Sequence, residues 1–165
     1  VIFLPVFAAM VAAVLIALAR GIEVPWNIFG YYTALLAAMA ACFLGFGMLI
    51  SAVARSTDMA QGAAFLVWLT LLLFLDLILL GVMIQEKVRP EVAVGIALVN
   101  PLQVFRTAAL ALFDPQLIVL GPSAYVILDT FGAAGYMVFA VAYPTVLGFA
   151  AASLGYLLFR RGDLP

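Results

Sequence analysis

The groups that could do chemistry in this chain are few. It has no histidine and a single cysteine, Cys42, in 165 residues. Imidazole-based catalysis and thiolate-rich zinc sites are therefore excluded within it, and no disulfide can form inside it. Met39 and Cys42 stand three residues apart, on one face of a helix, and soft sulfur suits Cu(I). Met48 falls off that face, and methionine in apolar helices ordinarily fills gaps. Packing is the reading, and neither a metal nor a cofactor is assigned. Ser51, Ser153 and Asp76 are what an intramembrane hydrolase would have to use, and neither serine comes with a base. No G-x-x-x-x-G-K string occurs, so ATP is not handled by this chain.

Two features stand out. Asp76 interrupts the run Leu72-Leu73-Phe74-Leu75-Asp76-Leu77-Ile78-Leu79-Leu80. A carboxyl in lipid is costly unless it is neutralised or paired, so it faces a bundle interior or a wet cavity. Asp76 is the candidate intramembrane polar contact, read as a hydrogen bond to a neighbouring helix or subunit ahead of a proton or cation relay. The second is Asn100-Pro101-Leu102-Gln103-Val104-Phe105-Arg106, in which Asn-Pro stops one helix and seeds the next. Asn100, Pro101, Gln103 and Arg106 are the candidate docking residues for an external partner. The competing reading is a helix corner with a snorkelling arginine.

The elements that must position these groups follow from composition. The chain is 68% hydrophobic and 9% charged, with a mean hydropathy of +1.30. Soluble domains carry about 25% charge, so the solvent here is lipid. A net charge of -1 excludes nucleic acid as a partner. The fold class expected is all-α, a polytopic transmembrane helix bundle in one membrane domain over 1–165. Spans are expected at about 1–19, 28–54, 62–84 and 131–159, each near the ~20 residues a bilayer needs. A short external helical pair is expected at about 90–114. In its second helix Gln103, Arg106 and Thr107 form one face, and Leu102, Phe105, Ala109 and Leu112 another.

Connections and packing devices are also readable. Gly21 to Asn27 is a polar break with Trp26 at the interface. Arg55-Ser56-Thr57-Asp58 is a tight turn, with Asp58 and Gln61 as the expected N-cap pair of the third span. Arg55, Arg160 and Arg161 put that turn and the tail inside. Thr33, Ala37, Ala41 and Gly45 form a small-residue stripe, which Gly148 and Ala152 repeat in the last span for close packing. Pro144 predicts a kink.

The order of these parts is a span ending in Leu44-Gly45-Phe46-Gly47-Met48-Leu49-Ile50-Ser51, a tight basic loop, a span with FLDLILL around Asp76, the NPLQVFR corner, and a last span ending Leu157-Leu158-Phe159-Arg160-Arg161. It resembles the membrane subunits of type-two ABC exporters, and most of all the NosY-like permeases of nitrous oxide reductase maturation. The resemblance implies a non-catalytic, multi-pass, inner-membrane subunit that dimerises and docks a cytoplasmic ATP-binding subunit, with Arg55, Ser56, Thr57 and Asp58 as a secondary ATPase contact. It implies six spans, of which these are the last four, the chain opening at Val1 as the C-terminal part of a larger permease. The narrower likeness implies a copper-carrying periplasmic protein seated on the external helices and a role in building the reductase's copper centres. An exporter of lipid, drug or polysaccharide is the alternative, and the intramembrane hydrolase the third reading.

Overall fold

A computed structural model describes residues 3–74, 77, 95, 97–113 and 132–162. Every element among them is helical: α1 (Phe3–Ala19), α2 (Trp26–Val53), α3 (Thr57–Leu69), a π-helical segment (Thr70–Phe74) continuing α3, α4 (Pro101–Phe113) and α5 (Ala133–Gly162). The chain is an all-α membrane helix bundle. α2 and α5 are long and apolar enough to cross a bilayer. The apolar helices Leu4–Ala19 and Thr57–Leu73 are shorter. Asp76, and the expected first external helix apart from Gly95 and residues 97–99, lie outside the described residues.

The ends of the helices have local causes. α1 stops where Gly21 takes φ 69° and Ile22 N–H returns to the Ala17 carbonyl at 2.9 Å, the six-to-one closure of a glycine C-cap. α2 ends at extended Ala54, whose N–H still reaches the Ile50 carbonyl. α3 begins earlier than the Asp58–Gln61 pairing predicts. Ser56 is extended, at φ -150° and ψ 160°, and its Oγ accepts from Met59 N–H. A serine already placed to bond the third helical N–H makes the cap, and Asp58 is left in the first turn, where the helix dipole favours a carboxylate. In α5 the helix runs on through Pro144, which is fully buried.

α2 and α5 form the spine and make the most extensive contact of the bundle. Tyr31 meets Met137, Cys42 meets Gly148, and Leu49 meets Gly155. Each pair is 106 residues apart in sequence, so the two helices run parallel and in register. Glycine makes the contact possible. A Cβ on Gly148 would sit 2.5 Å from the Ala41 carbonyl oxygen and 2.7 Å from Cys42 Cα, and one on Gly45 would meet the Gly148 backbone. Of the expected stripe, Ala41 and Gly45 face α5, whereas Ala37 is exposed.

Parallel helices require the chain to recross the bundle between them. α3 supplies the described part of that return. It starts beside the C-terminal end of α2, and Leu71 reaches the start of α4 at the other end. There α4 packs across α2 and α5, and the core lies at this junction: Leu35, Val104, Ala108, Tyr136 and Ala140.

Candidate functional site

α4 is held against both α2 and α5. Its inward face is Pro101, Val104, Thr107 and Ala108. This corrects the sequence-based division of faces, which put Thr107 with Gln103 and Arg106. The 100° step of a helix brings 101, 104 and 108 onto one line, and Thr107 lies beside it. Thr107 is buried there, at 4% exposure, at the head of the bundle where α4 packs on α5.

Asn100 is the knot at the head of α4, with only 1% of its surface exposed. Its Oδ1 accepts from Leu102 N–H at 3.0 Å, and its carbonyl accepts from Val104 N–H at 3.0 Å. Both bonds supply the N-terminus of α4, where Pro101 has no N–H to satisfy. The Asn100 amide then donates to the Leu71 carbonyl at 2.7 Å. Leu71 lies in the π-helical segment. Thr70 marks the start of that segment, its Oγ1 bonding back to the Leu66 carbonyl at 2.8 Å. One side chain thus caps α4 and ties it to α3.

Tyrosines complete the attachment. Tyr143 donates to the Val99 carbonyl at 2.6 Å, a group at a helix end that needs a partner. Tyr136 donates to the Val104 carbonyl at 3.3 Å, and Tyr31 of α2 donates to the Met137 carbonyl of α5. Among the described residues no buried side-chain nitrogen or oxygen lacks a partner. A hydroxyl in lipid must find an acceptor inside the protein, and tyrosines within apolar spans carry that signal in the sequence. It was missed because every acceptor is a backbone carbonyl, which has no residue type to read.

The expected site residues separate accordingly. Asn100 and Pro101 are buried in this chain's own packing. Gln103 is half-buried and Arg106 exposed, with Arg106 Nη1 3.5 Å from Gln103 Oε1. At the far end Arg55, Ser56, Thr57 and Asp58 are exposed together in one turn. Ser51 lines a groove of about 500 Å³ between α2 and α5, with Met48, Tyr156 and Phe159, and among the described residues no carboxylate or amine lines it. Ser153 is exposed on α5. Met39 and Cys42 are buried, and Cys42 stands in the α2–α5 seam against Gly148. No group of three or more metal-ligating side chains occurs among the described residues.

An exposed polar turn lies at one end of the spine, a pinned amphipathic helix at the other, and α3 runs between them. A family model described as "ABC-2 family transporter protein" matches residues 1–164. Neither the curated proteins nor the solved structures yielded a match.

Proposed function

This chain belongs to the ABC-2 family of transporter proteins, and from that premise we propose that its α3 carries motion from an ATPase seated on Arg55–Asp58 to α4. The family makes it a membrane permease component of an ABC transporter, with ATP handled by a partner subunit. The observation that carries the proposal is the Asn100–Leu71 bond at 2.7 Å. It fixes the far end of α3 to the head of α4, while the near end of α3 is capped by Ser56 within the exposed turn. A tilt of α3 imposed at that turn displaces α4 against the α2–α5 spine.

In this reading the Arg55 turn and the Arg160 end of α5 face the cytoplasm of an inner membrane, and a second copy of the permease completes the transporter. Gln103 and Arg106, the polar positions on the outer side of α4, dock a periplasmic partner. The resemblance of the NPLQVFR corner and the LLFRR ending to the nitrous oxide reductase maturation permeases supports a copper-carrying protein as that partner. Export of a lipid, drug or polysaccharide is the second reading within the same family. Reductase-maturation genes beside this one favour the first, and biosynthetic or resistance genes the second.

The test is purification of the full-length protein from its native membrane. The expected result is a dimer that retains an ATP-hydrolysing subunit. Asp58→Lys combined with Arg55→Glu, which reverses both charges in the turn, lowers the retained ATPase activity several-fold without unfolding the permease. A monomer that hydrolyses no ATP and holds no such subunit contradicts the proposal.

A further inference from the structure

Away from the α3–α4 connection, the structure has a second groove, of about 360 Å³, between α1, α2 and the C-terminal end of α4. Met10, Ala13 and Ala17 of α1 line one wall, Tyr32 of α2 stands opposite, and Phe113 of α4 closes the side. Tyr32 and Phe113 are braced edge to face at 5.9 Å. From Ala17 to Met10 the groove follows α1 for about 10 Å, a third of the hydrocarbon core. The two alanines leave the slot open where larger side chains would close it.

At the mouth of this slot is Glu23, the one charged residue among the described residues of its lining. Among the described residues it makes no ion pair. It sits in the turn between α1 and α2, the level at which the chain leaves the bilayer, and Trp26 beside it is 60% exposed as interfacial tryptophans are. Arg20, of opposite charge, is exposed on the same turn.

We infer that this groove binds a zwitterionic phospholipid, with an acyl chain along α1 and the headgroup ammonium on Glu23. The apolar slot accounts for a chain, and the carboxylate at headgroup level accounts for a cationic group above it. Arg20 supplies the complement to the phosphate. An anionic headgroup without an amine is disfavoured by Glu23. The inference rests on the membrane fold and not on the proposed transport mechanism.

The experiment uses full-length protein in nanodiscs of phosphatidylglycerol doped with phosphatidylethanolamine carrying a diazirine in its acyl chain, and a parallel sample doped with diazirine-bearing phosphatidylglycerol. Photolabelled peptides are mapped by mass spectrometry. The ethanolamine probe is expected to label residues 10–32 about three-fold more than the glycerol probe does, the scale of one exposed charge pair. Glu23→Gln removes that preference while labelling persists. Ala13→Trp, at an exposed position that tolerates bulk, removes labelling of the groove by both probes and leaves labelling of α5 unchanged. Equal labelling by the two probes, label spread evenly over α1 and α5, or groove labelling that survives Ala13→Trp would each overturn the inference. ATP hydrolysis by the purified complex, measured on the same samples, separates this outcome from failure of the transport proposal.

Discussion

Asn100 combines a cap, a helix break and an interhelical tie in one buried side chain. Asn100→Leu keeps the volume and loses the amide, and with it the bonds to the Leu71 carbonyl and Leu102 N–H. The expected cost is about 1–3 kcal/mol, read as a lower midpoint of unfolding of the detergent-solubilised protein. Tyr143→Phe removes one bond to a backbone carbonyl and is expected to cost about 1 kcal/mol in the same assay, on the scale of hydrogen bonds inside membrane bundles. The helix break at Asn100-Pro101 was legible in the sequence, because proline and its neighbour impose it locally. The tie to Leu71 was not, since its partner lies 29 residues away and is main chain. The same limit applied at Ser56, where Asp58 with Gln61 made the more conspicuous sequence pattern. The geometry of the extended residue decided the cap.

Among the elements, the α2–α5 pair depends on glycine at a backbone contact. Gly148→Leu drives a side chain into the Ala41 carbonyl and Cys42 Cα, contacts that no rotamer relieves. It is expected to abolish assembly of a stable bundle, whereas Ala37→Leu on the exposed face of α2 is tolerated within about 0.5 kcal/mol. Thermal stability of the two purified variants checks the contrast. The parallel register makes a separate prediction. In a Cys42→Ala background, Tyr31→Cys with Met137→Cys is expected to be joined by a short bifunctional maleimide. Tyr31→Cys with Leu157→Cys is not, the second pair lying at opposite ends of the spine. The small-residue stripe was readable because close approach demands small side chains wherever it occurs. Which members faced the partner was not readable, because a stripe at spacing four drifts around a helix of 3.6 residues per turn, and Ala37 drifted off the contact. The two faces of α4 were harder still, because Thr107 is polar and yet buried, against what its side chain alone suggests.

For the whole molecule, composition was enough to identify a lipid-embedded helical protein, whose two long apolar helices are α2 and α5. The path between them was less legible, because periodicity shows where a helix is apolar and not which helix it lies against. The constant offset of 106 residues between contacting positions establishes the parallel spine, and with it the return through α3 that connects the polar turn to α4. The most direct test of that connection is the distance between α4 and α5 in the assembled transporter. Spin labels at Leu110→Cys and Val138→Cys, both exposed positions, in a Cys42→Ala background would be measured without nucleotide and with ATP and vanadate. The expected result is a shift of several ångströms on trapping the nucleotide, reduced or absent in Asn100→Leu, where α3 no longer grips α4. An identical distance in both nucleotide states, or a full shift in Asn100→Leu, would contradict transmission through α3.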